Sequence, residues 1–218
     1  MQTPAEYKFA PLISDHDPSF EGFYRIYLES IPLREQKPRS LICAMANRED
    51  YIINLLKRNT RTLGFSILFK PIQEAFCLLE YMAVDILYRN SGLGSRLFRE
   101  CSQTARSDQG ESLPLVLEVD SDREPSPDQE LRRRRQHLYQ RLGCTRINQL
   151  SYILPLPGEG PPPKMDLMIH LPGGIRIIQK SELERWLKVI YQRVYFCPAD
   201  DPRIAQMLEP VTDPVELT

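Results

Sequence analysis

This sequence lacks an excess of charge, a long apolar run and a recognisable leader, and each absence excludes a class of protein. Lys and Arg number 28 against 29 Asp and Glu, so the basic surplus typical of nucleic-acid-binding proteins is missing. No run approaches the roughly 18–20 apolar residues of a membrane span. Met1–Glu6 has neither the basic nor the apolar region of a signal peptide. We therefore expect a cytoplasmic protein whose partners include neither nucleic acid nor membrane.

Cysteine and histidine usage argues against disulfide and metal chemistry. The five cysteines are odd in number, no two have Cys-x-x-Cys spacing, and most lie in apolar runs, which favours reduced thiols. His16, His137 and His170 lie far apart and show no metal-ligand spacing, so no metal site is expected. At 218 residues the chain is long enough for one elaborated domain with a full hydrophobic core.

The hydrophobic pattern predicts a mixed α/β fold with one strand–helix–strand crossover near its centre. Predicted strands cover residues 7–13, 51–56, 62–69, 75–84, 113–119, 144–154 and 165–171, and predicted helices cover 20–30, 40–46, 92–107, 129–142 and 181–196. The first helix should bury Phe20, Phe23, Tyr24, Tyr27 and Leu28, and the helix at 129–142 should bury Leu131, Leu138 and Leu142. Pro155–Pro163 is too rich in proline for the interior of any element.

The segment that says most about chemistry is Leu79–Leu97, in which an apolar strand leads through a short loop into a helix. The loop has the pattern Arg-x-x-Gly-x-Gly, beginning at Arg89. A helix N-terminus leaves backbone N–H groups unpaired and carries about half a positive charge, and glycines allow a phosphate to approach those donors. The segment therefore predicts an anion site. A P-loop needs Gly-x-x-x-x-Gly-Lys-Ser/Thr, which is missing, and a dinucleotide fold expects a third glycine where Leu97 stands.

Arg-x-x-Gly-x-Gly after a strand that ends in Ala83-Val84 resembles motif A of the GNAT superfamily of acyl-CoA-dependent N-acetyltransferases. A second match is Tyr139–Cys144, which resembles the family's Tyr-x-x-Leu-Gly-Phe, with cysteine in place of the aromatic residue. The insert Ser121–Gln129 departs from the family pattern by lengthening the link into that helix. The resemblance is specific over about residues 62–147. It implies an α/β (α+β) fold with a mixed, mostly antiparallel central sheet flanked by helices.

The resemblance also implies an activity, the transfer of an acetyl group from acetyl-CoA to an unidentified primary amine by direct attack in a ternary complex. Acyl-CoA would lie in a V-shaped gap between the strands at 75–84 and 113–119, and a strand N–H near Met82 or Val84 would polarise the thioester carbonyl. Tyr139 would protonate the departing CoA thiolate. The pantetheine arm would bond to the backbone of Met82, Ala83 and Val84, and the pyrophosphate to that of Arg89, Asn90, Ser91, Gly92, Leu93, Gly94 and Ser95. Two alternatives stay open: a non-catalytic acyl-CoA-binding module of the same fold, and an enzyme for longer acyl groups.

Two carboxylates on apolar strands are candidates for the general base. Glu80 is the one charged residue between Ala75 and Val84, and a buried carboxylate is costly unless it is paired. It is interpreted as the catalytic base, with a structural ion pair to an arginine as the alternative. Glu118 sits similarly on the next predicted strand. Around the first helix and the turn after it, Glu29, Arg34 and Glu35 are weaker candidates for the acceptor pocket.

The remaining features predict structure rather than chemistry. Residues 1–171 are predicted to form the acetyltransferase domain, and residues 172–218 a helical extension packed on it. The extension carries an apolar stripe of Leu183, Trp186, Leu187, Ile190 and Val194 that needs a partner surface, either the domain itself or a second copy in a homodimer. Four consecutive arginines, 132–135, would splay around a helix among acidic neighbours, and are interpreted as a solvated face.

Overall fold

The structure, a computed structural model, describes residues 7–123, 125–156, 162–173 and 177–218. The chain forms two compact units. The first comprises Met1–Glu74 and Leu79–Ala105, and the second comprises Ala75–Leu78 and Arg106–Thr218. The strand Cys77–Val84 therefore begins in the second unit and continues in the first. In the part of the chain that the structure describes, no helix is both long enough and apolar enough to cross a bilayer.

The first unit is a four-stranded sheet with three helices. Its strands follow the order β1–β2–β3–β4, and the pairs β1–β2 and β2–β3 are antiparallel. Asn59, with φ 55°, makes the tight turn between β2 and β3. The elements are β1 (Tyr7–Pro11), α1 (Phe20–Ser30), α2 (Arg39–Ala46), β2 (Tyr51–Arg58), β3 (Arg61–Phe69), β4 (Cys77–Val84) and α3 (Leu93–Thr104).

Helix α1 packs on β3 through an aromatic face, because apolar residues recur every three or four positions. The rings of Phe23 and Phe65 meet edge to face with centroids 4.9 Å apart. The predicted stripe is correct at Phe20, Phe23 and Tyr27 but wrong at Leu28, which is 44% exposed. Ile26 is buried instead, which rotates the apolar face by part of a turn.

The second unit holds the remaining elements. Its strands follow the order β5–β8–β6, β7 pairs with β8, and all three pairings are antiparallel. The elements are β5 (Leu115–Asp120), α4 (Gln129–Arg141), β6 (Cys144–Arg146), β7 (Tyr152–Ile153), β8 (Lys164–His170), α5 (Lys180–Arg193) and α6 (Pro202–Leu208). Both units support the predicted α/β class with mostly antiparallel strands.

The predicted strand at 144–154 is wrong in its middle. It is broken into β6 and β7 because Gln149 takes φ 60°, a left-handed conformation that no strand continues through. The chain beside Ile147 bridges instead to Leu217 near the end of the chain. Helix α6 was missed, although Asp201 followed by Pro202 is a strong start signal: the Asp201 carboxylate accepts a hydrogen bond from the Arg203 N–H.

The apolar stripe of the C-terminal extension is buried within the second unit. Trp186 is 1% exposed, and its ring lies against Phe76 with centroids 5.4 Å apart. Of the two interpretations of the stripe, this favours docking on the protein's own surface. The predicted loop Pro155–Pro163 falls largely on residues 157–161, which lie outside the described residues. All five cysteines are free thiols, and burial raises the pKa of Cys101 and Cys144 to about 12, so both are unreactive near neutral pH.

Candidate functional site

The loop after β4 is anchored at its start by Asp85. This carboxylate is fully buried, accepts a hydrogen bond from the Leu87 N–H at 3.0 Å, and lies 2.7 Å from a guanidinium nitrogen of Arg25 on α1. Burial alone would raise the pKa of Asp85, but the hydrogen bonds from Arg25 and Leu87 outweigh it and keep the pKa below its usual 3.8. The loop is thereby fixed to α1 before it reaches the glycines.

Two residues with positive φ then turn the chain into α3. Asn90 has φ 60° and Gly92, the residue that precedes α3, has φ 79°. A Cβ on Gly92 would meet nothing within 4 Å, so glycine is required there by the backbone conformation and not by space. Asn90, Ser91 and Gly92 are exposed, while Leu93 is buried and anchors the helix. The loop that leads into α3 is therefore exposed at these three residues and anchored on either side, which is compatible with the predicted anion cradle.

Arg89 braces this loop with its side chain. The guanidinium donates from Nε to the Val84 carbonyl and from a terminal nitrogen to the Ser30 hydroxyl, both at 3.1 Å. The predicted phosphate contact of Arg89 stays a prediction. What the structure adds is that this side chain ties together the end of β4, the end of α1 and the cradle.

A glycine that sequence analysis did not single out sets the position of α3. A Cβ on Gly64 would lie 2.8 Å from the Ala83 carbonyl oxygen and 2.9 Å from a methyl carbon of Leu97. Neither neighbour has room to move, so only glycine lets β3, β4 and α3 pack this closely. The apolar cluster at this contact comprises Leu56, Leu63, Leu93 and Leu97, with Met82, Val84 and Tyr88 packed against it. A glycine inside an apolar strand was the signal that could have identified it.

Glu80 lies on β4, upstream of the cradle. Its side chain is 2% exposed although the residue as a whole is only half-buried, so the exposed part is main chain. Met82, Ala83 and Val84 are likewise half-buried. The predicted pairing of Met82, Ala83 and Val84 with an extended ligand arm stays a prediction.

The partner of Glu80 is Lys37, whose Nζ lies 3.0 Å from Oε1. Neither carboxylate oxygen of Glu80 has a well-aligned hydrogen bond among the described residues, so this contact is an ion pair with free lone pairs remaining. Burial raises the pKa of Glu80 above its usual 4.5, and the Lys37 charge offsets only part of that rise. The predicted alternative, a structural ion pair, is thus present, but its cation is a lysine and not an arginine.

The segment that carries Lys37 is held by tyrosines. The Lys37 backbone N–H donates to the Tyr27 hydroxyl at 2.6 Å, and the Tyr81 hydroxyl donates to the Glu35 carbonyl at 2.8 Å. Burial raises the pKa of Tyr27 to about 12, so it stays a neutral phenol. Of the weaker acceptor-pocket candidates, Glu35 contributes this backbone carbonyl, and Glu29 pairs with Arg25 in a half-exposed contact at 2.7 Å. Lys37 was missed because nothing in its sequence neighbourhood indicates a partner on β4.

Tyr139 lies in the second unit, on α4, where it is 8% exposed. The predicted core stripe of α4 is wrong at Leu131, which is 57% exposed, and the buried positions of the helix are Gln136 and Tyr139. Gln136 is drawn inward because its amide donates to the Asp120 carbonyl and to the Asp166 carboxylate. Tyr139 is therefore on the inner face of α4, and its role as the general acid stays a prediction.

Glu118 on β5 has a different environment. Its Oε2 accepts a hydrogen bond from the Tyr195 hydroxyl at 2.5 Å, and its Oε1 accepts one from the Tyr152 hydroxyl. Burial, and then the charge of Glu118, raise the pKa of Tyr152 well above its usual 10. Two phenols thus occupy this carboxylate, which argues for a structural role and against the base.

The four consecutive arginines of α4 are all paired with carboxylates, as the acidic neighbours predicted. Arg132 lies 2.9 Å from Asp128, Arg133 and Arg134 lie 3.6 Å and 3.1 Å from Glu130, and Arg135 contacts Asp120. Among the described residues, no cluster of three or more His, Cys, Asp or Glu side chains is arranged to hold a metal ion.

Comparison with known proteins shows what the segment that holds this site is similar to. The acetyltransferase (GNAT) domain family matches residues 49–144, a range that includes Glu80, the cradle and Tyr139. No protein of established function is similar enough in sequence to match the chain.

Solved structures extend the likeness beyond the matched segment. A protein assigned to the GNAT family of acetyltransferases from Bacteroides thetaiotaomicron has 24% identity and a TM-score of 0.71, covering 88% of this chain and 99% of that one. The ribosomal-protein-S18-alanine N-acetyltransferase from Escherichia coli has 17% identity and a TM-score of 0.54, covering 78% and 99%. A GNAT family acetyltransferase from Elizabethkingia anophelis with acetyl-CoA bound has 19% identity and a TM-score of 0.53, covering 75% and 96%.

The resemblance to the GNAT superfamily is thereby confirmed, for the fold of the chain and for the sequence of residues 49–144. Acetyl-CoA-dependent N-acetyl transfer is the general reaction of that family. The fold class, a mixed α/β arrangement with a mostly antiparallel sheet flanked by helices, is confirmed with it.

Proposed function

We propose that this protein is an N-acetyltransferase that moves an acetyl group from acetyl-CoA to a primary amine by direct attack in a ternary complex. The observation that carries the proposal is the association, within one compact unit, of an exposed amide cradle at Gly92 with a buried carboxylate, Glu80, on the strand that leads into it. An anion site next to a buried base suits a phosphate-bearing acyl donor and an amine that must lose a proton.

The residues fit the donor at two places. The amides from Arg89 to Ser95 hold its pyrophosphate, with Gly92 supplying the left-handed turn. The backbone of Met82, Ala83 and Val84 bonds to its pantetheine arm. Acetyl-CoA supplies an activated thioester, and the chain supplies the donors that orient it.

The chain's own groups then manage the protons and the developing charge. Glu80, with free lone pairs and a raised pKa, accepts the proton of the attacking amine, directly or through a water. A backbone N–H near Met82 or Val84 donates to the carbonyl oxygen as it becomes negative. Tyr139 donates a proton to the leaving thiolate, the role its match to the family motif implies.

Binding is tested by titration calorimetry with acetyl-CoA, using Gly92→Ala as the informative variant. Because φ 79° is strained for alanine, we expect a loss of affinity of about tenfold, equivalent to the roughly 1–2 kcal/mol cost of the left-handed conformation. The matched control is Gly110→Ala in the second unit, where φ is 83° and a Cβ also meets nothing within 4 Å. It should lose similar stability and keep full affinity. Absence of binding at high micromolar acetyl-CoA would sink the proposal.

A second function, a non-catalytic acyl-CoA-binding module, is favoured by one observation: Glu80 already has a cation beside it. Thiol release over a panel of amines separates the two functions. If the protein is an enzyme, Glu80→Gln and Tyr139→Phe should each slow thiol release. The module predicts that acetyl-CoA binds and that neither change alters turnover on any acceptor.

A further inference from the structure

Lys37 places an amine beside the carboxylate that is proposed as the general base. Its backbone N–H is fixed by the Tyr27 hydroxyl at 2.6 Å, and its Nζ lies 3.0 Å from the Glu80 carboxylate. The side chains of Lys37 and Glu80 are 11% and 2% exposed, so this ion pair lies in a largely dry environment. An external substrate would have to bring its own amine to the same carboxylate.

The thioester would lie within reach of this amine. A strand rises about 3.3 Å per residue, so the backbone N–H of Met82 is about 7 Å along β4 from Glu80. If that N–H holds the thioester carbonyl oxygen, the thioester lies two residues along the strand from Glu80, whose carboxylate has the Lys37 amine beside it. Lys37, Glu80 and Met82 all belong to the first unit, so this arrangement requires nothing from the second.

We infer that Lys37 is itself an acceptor and that the protein acetylates its own Lys37 Nζ. The inference rests on the proposed function. Glu80 takes one proton from the Lys37 ammonium, and the freed lone pair of Nζ forms a bond to the thioester carbonyl carbon. The carbon–sulfur bond breaks with its electron pair on sulfur, and the CoA thiolate takes up the second proton that the nitrogen loses as it becomes an amide. Lys37 is left as a neutral amide, with no oxidant or further reactant required.

The modification acts as a brake on transfer to external amines. An acetylated Lys37 no longer carries the charge that partly offsets the burial of Glu80. The Glu80 carboxyl then holds its own proton more tightly, and it is less able to take a proton from the next amine.

The experiment incubates the full chain with acetyl-CoA and no added amine, followed by peptide mass spectrometry. We expect saturable acetylation at Lys37 that approaches one acetyl group per chain. Lys57 is the internal control for uncatalysed acetylation, because it lies in the same unit and its Nζ donates to the Ser19 hydroxyl at 2.7 Å. Glu80→Gln should slow acetylation of Lys37 by about 100-fold and leave that of Lys57 unchanged.

Lys37→Arg is the complementary variant, since it keeps a cation beside Glu80 and offers no acetylatable amine. It should abolish the gradual fall in activity that follows preincubation of the natural protein with acetyl-CoA. Lys37→Gln, which imitates the acetylated side chain, should lower the melting temperature more at pH 8 than at pH 5, a readout that needs no acetyl-CoA.

The outcomes separate this inference from the function on which it rests. Rapid thiol release with external amines, with Lys37 no more acetylated than Lys57, overturns the inference and leaves the function standing. Failure to bind acetyl-CoA overturns both. Acetylation of Lys37 that is unaffected by Glu80→Gln also overturns the inference, because the reaction would then be uncatalysed.

Discussion

Two glutamates on apolar strands, Glu80 in the first unit and Glu118 in the second, differ in what surrounds them. Glu118 accepts hydrogen bonds from the hydroxyls of Tyr152 and Tyr195, one on each oxygen. Glu80 has Lys37 at 3.0 Å, is also affected by the Tyr51 hydroxyl and the Arg48 charge, and has no well-aligned hydrogen bond among the described residues. The sequence presents the two alike, as one carboxylate in an apolar run. Their partners argue for a structural role of Glu118 and are compatible with the catalytic role proposed for Glu80.

The two glutamates differ in how many of their hydrogen-bond acceptor sites are filled. An ionised carboxylate has about four acceptor sites, and a buried one that leaves them unfilled carries a cost that a purely structural residue has no reason to keep. Glu118 uses its acceptor sites to join β5 to β7 through Tyr152 and to the C-terminal extension through Tyr195. Glu80 keeps its sites open, as a base must.

The largest expected effect comes from exchanging each carboxylate for its amide. Glu80→Gln should lower the rate of thiol release by about 10²- to 10⁴-fold, because the general base is lost while the shape is kept. Glu118→Gln should leave the rate within a few-fold. Steady-state kinetics on the best amine of the panel measures both, and acetyl-CoA titration controls for intact folding. Equal losses at the two positions would break the comparison.

The next effect concerns stability. Tyr152→Phe removes one donor from a buried carboxylate and should lower the free energy of unfolding by about 1–3 kcal/mol. Tyr81→Phe is a matched control in the first unit: its hydroxyl donates to the Glu35 carbonyl, a neutral acceptor, so the loss should be nearer 1 kcal/mol. Urea denaturation measures both. A smaller loss for Tyr152→Phe than for Tyr81→Phe would mean that Glu118 is not held as a charge.

The sequence predicts the cradle well and the pocket around Glu80 poorly, for a physical reason. The cradle is local: strand, arginine, glycines and helix follow one another within Leu79–Leu97, and the backbone rules that govern them are short-range. Lys37 is distant from β4 in sequence, and no periodicity signals their pairing. Likewise, glycine is required at position 64 only because Ala83 and Leu97 approach it in the folded structure.

Most elements were predictable for a similar reason, since apolar periodicity is local. The failures occurred where tertiary contacts override it. Leu131 is exposed because the inner face of α4 is occupied by Gln136, whose amide satisfies Asp166. The strand at 144–154 breaks because the segment near Ile147 pairs with the end of the chain. Neither partner can be inferred from the neighbouring residues.

The smallest and most specific effect is the pH dependence of transfer. Burial raises the pKa of Glu80 above 4.5, so the rate should fall as the pH drops through a value higher than that of an ordinary glutamate. Lys37 lowers that pKa, and Lys37→Met should therefore move the acid limb of kcat to higher pH, while Lys37→Arg should keep it near its original position. Glu118→Gln should leave the limb where it is.

The melting temperature should depend on the same raised pKa of Glu80. A carboxyl whose pKa is raised by folding stabilises the protein at any pH below its pKa in the unfolded chain. That contribution is lost as the pH rises through its pKa in the folded protein. Lys37→Met raises the pKa of Glu80 in the folded protein further. The melting temperature of this variant should therefore fall relative to that of the natural protein as the pH increases from 5 to 8. Melting curves across that range measure the trend. A constant difference between the two proteins would show that Glu80 does not titrate, and the contrast between the two glutamates would then rest on geometry alone.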